Sequence, residues 1–165
     1  MFDLADFLDH FDKVRQRTRR VAARIPADRI EWTHKPGAFS LGDQVRHIAA
    51  TERYMWAETV ASRPSRYTTH GPELAEGREA VLAFLDRMHD ESMTIFRALT
   101  PEKAVGKCTT PDGAQLTTWK WLRAMVEHEI HHRGQIYMLL SMLGVDTPPL
   151  YGLTSEQVRA RGVSV

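Results

Sequence analysis

A single cysteine, Cys108, is all the thiol this 165-residue chain carries, so no disulfide can form within it and a reducing cytosol is the expected compartment. It stands beside Lys107 and is expected to be an ordinary surface side chain. Also missing is any apolar run near the roughly 20 residues that cross a bilayer, so no membrane partner is expected. Charge of one sign is lacking: 22 basic and 21 acidic residues leave a formal +1, which gives no reason to expect a nucleic acid or another polyanion. The opening residues, Met1-Phe2-Asp3-Leu4-Ala5-Asp6, have acids where a secretory signal has a basic stretch and an apolar core, so no signal peptide is expected. Repeats and low-complexity tracts are absent as well, and the length suits one domain over residues 1–165.

What is present is helical periodicity in four long stretches. Leu4, Phe7, Leu8, Phe11, Val14 and Val21 predict a helix over residues 3–24, with Pro26 just beyond it. Its basic second half, Arg15, Arg17, Arg19, Arg20 and Arg24, lacks interleaved aromatics and reads as a solvated face. After the Pro36-Gly37 turn, Ser40 with Asp43 three residues on marks a helix start, and Val45, Ile48, Met55 and Trp56 give the buried stripe of a second helix to about residue 61. Residues 63–76 contain Pro64, Gly71 and Pro72 and suit a long crossover along a bundle. A third helix follows over about residues 77–99. Thr110-Pro111-Asp112-Gly113 then predicts a tight turn joining two short strands at most. The fourth helix runs from about Thr118 to Leu143, stops at Gly144, and precedes a short tail helix over Ser155–Arg161. The expected fold is all-α, a four-helix bundle.

The chemistry lies in the fourth helix, in His128-Glu129-Ile130-His131-His132-Arg133-Gly134-Gln135. Steps of three and four place Trp121, Met125, His128, His132, Gln135, Leu139 and Met142 on one seam. Residues four apart differ by about 40° around the axis and roughly 6 Å along it, so the imidazoles of His128 and His132 can meet at one point. One inward histidine is ordinarily a core residue satisfied by a hydrogen bond. Two on the same apolar seam are harder to satisfy without an ion, because each buried ring needs its own partner.

Three kinds of metal site bear on these residues. His128-Glu129-xx-His132 matches the zinc-peptidase helix, but that motif's extended form needs glycine and histidine where Gln135 and Met138 stand, and Glu156 is a remote third ligand. A di-iron bundle needs two Glu-xx-His helices; Glu129-xx-His132 supplies one, Glu31-xx-His34 falls in a loop, and Asp86-xx-His89 carries the shorter acid. The remaining option is one ion on His128, His132 and a third histidine, with His10, His47, His89 and His131 all within reach of some arrangement. Three neutral imidazoles with an open position suit one divalent ion, zinc first and nickel second.

A resemblance chooses among them. Trp32, Pro36-Gly37, Phe39-Ser40 and His47, followed by His128-xxx-His132-Arg133-Gly134-Gln135 and Gly144-Val145-Asp146-Thr147-Pro148-Pro149, resemble the DinB-like (YfiT-like) superfamily of metal-binding bundles across essentially the whole chain. That resemblance implies His47, His128 and His132 as the metal ligands and gives His131 no ligand role. It implies helices in up-down-down-up order and, often, a homodimer. For activity it implies metal-dependent S-transfer of a low-molecular-weight thiol, such as bacillithiol or mycothiol, onto a small electrophile, in stress or detoxification. Glu129 and Gln135 are then the candidates to orient a ligand or a water, while Tyr54 and Trp56 are expected chiefly as core packing. The alternative is a non-catalytic metal-binding protein with a stress-related interaction role.

Overall fold

The computed structural model describes residues 2–162; Met1 and residues 163–165, inside the expected domain span, lie outside the described residues. Four long helices form the bundle. α1 is Leu4–Ala22, opened by Asp3, whose carboxylate accepts the free N–H groups of Ala5 and Asp6. α2 occupies residues 41–60, and Ser40 and Asp43 close a reciprocal capping box at its start. α3 is Arg78–Arg97 and α4 is Thr118–Met142. The end of α4 follows from Gly144, whose φ of +69° turns the chain so that Gly144 and Val145 return N–H bonds to Ser141 and Leu140. Between α3 and α4, β1 (Lys107–Thr109) and β2 (Gln115–Thr117) pair antiparallel, with Cys108 opposite Leu116. Strand alternation turns Cys108 inward, so it is buried rather than the surface side chain expected, and burial raises its pKa. No described helix is long and apolar enough to cross a membrane.

One feature of α2 has no counterpart in the periodicity. The helix is α over Leu41–Thr51, widens to a π-turn over Glu52–Trp56, and returns to α over Ala57–Val60. Glu52 and Trp56 are buried there, while Met55, expected in the stripe, is only half-buried.

The core is two apolar clusters separated by a buried polar layer. One cluster gathers Val21, Ile48, Leu85 and Ile136; the other gathers Phe11, Trp56, Phe96 and Leu122. At the level between them each helix contributes polar groups: Arg15 and Thr18 from α1, Glu52 from α2, His89 and Ser92 from α3, and Glu129 and Arg133 from α4. Arg15 is therefore inside the bundle, not on the solvated face with its neighbours. Its guanidinium bonds Glu52 and lies 3.0 Å from a Glu129 oxygen, and His89 reaches Glu52 at 3.0 Å. On α4 the buried line is Leu122, Met125, Glu129, Arg133, Ile136 and Leu140, so the expected seam is displaced and Met142, placed on it, is exposed. The reason is that α4 buries two charged groups in the shared polar layer and leaves the histidines on the flank beside α2.

The direction of the chain through these clusters explains the long connection. α2 ends at the second cluster and α3 starts at the first, so residues 61–77 must return along the bundle. Hydrogen bonds trace that return along α2: Arg63 to Glu58, Arg66 to Tyr54, Tyr67 to His47, and Ala75 to Arg46. Glu58 anchors the start of it. Burial works to raise its carboxyl, but hydrogen bonds from Arg63, Arg53 and Arg66 overcome that and bring its pKa to about 2. The fully buried Arg46 anchors the end, bonding Glu31, Asp43 and the Ala75 carbonyl. This strap lays Tyr67 and His70 against the flank of α2.

Candidate metal centre

His47 on α2 faces His128 and His132 on α4, and one ring nitrogen from each of the three lies within 4.8 Å of the other two. The rings are half-buried, with centroids 4.9 Å (His47 and His128), 4.6 Å (His47 and His132) and 4.4 Å (His128 and His132) apart. His47 Nε2 and His128 Nε2 are separated by 3.0 Å. That is a hydrogen bond between two neutral rings, and it is also near the roughly 3.3 Å expected of two nitrogens sharing a tetrahedral zinc at about 2.0–2.1 Å.

The opposite ring nitrogens decide between these readings. His132 Nδ1 donates to Gln44 Oε1 at 2.6 Å, which leaves its Nε2 as a bare acceptor. His47 Nδ1 lies 2.7 Å from the Tyr67 hydroxyl, which is 3.2 Å from His70 Nδ1. A chain in which His47 donates to Tyr67 and Tyr67 donates to His70 frees a bare Nε2 on His47 as well. Partners of this kind fix the tautomer and aim a ligand imidazole. Two rings each hold a lone pair toward the common point, more than a mutual hydrogen bond needs.

Electrostatics agree. Burial, and then repulsion from the neighbouring imidazoles, lowers the pKa of His47 to about 4 and of His128 to about 3; burial chiefly lowers that of His132 to about 4. All three are neutral near pH 7, the state a ligand requires. The residues present thus fit a divalent ion: three neutral nitrogen donors, one with its tautomer set by a carbonyl oxygen, and no carboxylate in the grouping.

The other sequence candidates fall elsewhere. His10 is exposed on α1, His89 sits in the polar layer on Glu52, and His131 is exposed and 3.0 Å from Gln135. Glu129 faces Arg15 rather than the rings, while Gln135 stays beside the site, 3.0 Å from His131 and within hydrogen-bonding reach of His132. Trp56 packs on Trp121 in the core and also covers His128, its ring 4.9 Å away, while Tyr54 stacks under Arg53 and Arg66. Gln44, Tyr67 and His70 were missed. Gln44 stands one turn before His47 on the same face, a signal available in the sequence; Tyr67 and His70 arrive by the strap, which no local pattern locates.

Removing these supports has a measurable consequence. Tyr67→Phe and Gln44→Leu should each weaken divalent-ion affinity by about 10- to 100-fold, while His131→Ala leaves it unchanged, as read by competition with a chromogenic chelator.

The fold has known counterparts. A DinB-like protein from Bacillus cereus superposes with a TM-score of 0.76 at 16% identity, covering 88% of this chain and 95% of that one. The Bacillus subtilis protein YfiT, described as a probable metal-dependent hydrolase with an unusual four-helix bundle topology, gives 0.61 at 18% identity, covering 84% and 90%. At these identities the likeness speaks for the fold alone. In sequence the chain is 25% identical over 146 residues to the uncharacterized protein YjoA of Bacillus subtilis, 87% of this chain and 93% of YjoA. The model of the DinB family matches residues 1–162, spanning both histidine-bearing helices, and the chain belongs to the DinB family.

Proposed function

We propose that the protein is a metal-dependent transferase that joins a low-molecular-weight thiol to a small electrophile, with His47, His128 and His132 holding one divalent ion, zinc first and nickel second. The observation that carries this reading is the convergence of three neutral imidazoles with no carboxylate among them. When bound, a divalent ion on such donors keeps its full +2 charge and stabilises a thiolate near neutral pH at the open position. Gln44 and Tyr67 keep the nitrogens aimed, and Trp56 and Phe39 shield two of the rings from water. Glu129, the residue a zinc peptidase would use as its base, is held at Arg15 in the polar layer, which leaves the peptidase reading without a base.

Hydrolysis is the second reading, favoured by the description of YfiT as a probable metal-dependent hydrolase. One panel separates the readings. The zinc-loaded protein is given a generic electrophile with cysteine, glutathione, bacillithiol or mycothiol, and in parallel a chromogenic ester with no thiol. Thiol-dependent, chelator-sensitive conjugation supports the transferase. Ester turnover alone moves the assignment to hydrolysis, and neither leaves a non-catalytic metal-binding protein.

A further inference from the structure

We infer that the acceptor is a compact, electrically neutral, apolar molecule, selected by a cavity on the His132 side of the cluster; this rests on the metal-site reading above. Aromatic side chains pack on two of the three rings. Phe39 and Tyr67 cover His47 edge-to-face at 5.4 and 5.5 Å, and Trp56 lies 4.9 Å from His128. His132 lines a cavity, about 360 Å³ in volume, between the segment before α2 and the second half of α4. A group at the open position that reaches past His132 enters it.

The lining states the preference. Ala38, Phe39, Met138 and Leu139 supply apolar surface, and beyond His132 the polar groups are His34, Gln44 and Gln135. No aspartate, glutamate, lysine or arginine lines the cavity among the described residues. In a chain that is 26% charged this is a real exclusion, and the groove between α1 and α3 makes the contrast with Arg19, Arg20, Asp86 and Asp90 in its wall. An ionised substituent seated in the cavity away from the ion would lose water and find no counter-charge in the wall. Gln44 Oε1 is committed to His132 and Gln135 Nε2 lies on His131, so the hydrogen-bonding groups left in the wall are few and uncharged amide ends beside His34. The volume is at the low end of the roughly 300–1,000 Å³ usual for ligand pockets, which restricts the group to a small one. At the mouth stands Met138, 60% exposed, a flexible thioether that adapts to apolar shapes.

The test uses two thiols as mimics of the conjugate, benzyl mercaptan with a neutral apolar substituent and mercaptosuccinate with two carboxylates. The cobalt(II)-loaded protein is titrated with each and binding is followed in the visible cobalt bands. Benzyl mercaptan should bind at least about ten-fold tighter, and Met138→Glu should reduce that preference by about ten-fold at unchanged cobalt content. Equal affinities on fully loaded protein, or a preference that Met138→Glu does not alter, would overturn the cavity's role and leave the metal site standing. Failure of cobalt to bind would remove both.

Discussion

His132→Ala should leave the purified protein without its divalent ion while the chain stays folded. The side chain is half-buried at the flank of the bundle, so its loss removes little core contact, but it takes away one of three donors. Affinity should fall on the order of 100- to 1,000-fold, consistent with a structural zinc site whose total binding energy is about 10–16 kcal/mol spread over its ligands. Two readouts follow from one preparation. Elemental analysis should give close to one ion per wild-type chain and almost none for the variant. Adding zinc at about 100 times its Kd should stabilise the wild type by about 2.7 kcal/mol, roughly 5–10 °C for a chain of this size, and should not shift the variant. Acid should act in the same direction as the mutation. Because the folded rings have pKa values of about 3 to 4, protons begin to displace the ion only as the pH falls below about 5. The metal-free protein has its own linkage. Unfolded histidines titrate near 6.5, so between there and about 4 the unfolded chain binds protons that the folded one refuses, and stability present above 6.5 is lost as the pH falls.

Arg15→Met should be the most destabilising single change outside the apolar clusters. Burial works to raise the Glu52 carboxyl, but the Arg15 charge and the His89 hydrogen bond hold it below its ordinary value, so Glu52 is ionised. The Glu129 carboxyl is raised by burial, with the Glu52 charge adding to it against Arg15, so Glu129 holds its charge less firmly than Glu52. Methionine at position 15 would leave Glu52 as a buried charge without its cation. Breaking a buried pair in this way costs about 3–5 kcal/mol, or roughly 10 °C in melting temperature. Glu129→Gln puts a neutral amide of the same shape where burial already disfavours the carboxylate, and should cost less, about 1 kcal/mol. Urea unfolding of the two variants decides the matter. Equal losses would mean that Glu129, too, carries its charge.

These two predictions concern parts of the molecule that were unequally legible in the sequence. Helix ends could be read because they are set by local chemistry: Ser40 and Asp43 cap α2, and Gly144 stops α4 as expected. The pair His128 and His132 could be read because i, i+4 spacing fixes their relative direction on any helix. Spacing could not choose the third histidine. That choice depends on which helix lies beside α4, and the resemblance pointed to His47, which the structure brings to the other two. The polar layer was invisible because burying Arg15, Glu52 and Glu129 opposes every hydropathy pattern and is tolerable only when four helices bring the groups together. The π-turn at Glu52–Trp56 leaves no compositional trace, and Tyr67 and His70 reach the site only because the 61–77 strap must run back along α2.

Anomalous diffraction from crystals grown with zinc, recorded on both sides of the zinc absorption edge, tests the central claim most directly. One peak per chain within about 2.0–2.1 Å of the Nε2 atoms of His47, His128 and His132, with a further position open toward the cavity beside His132, is the predicted result. A map with no peak among these three rings, or with the ion on other residues, would contradict the account.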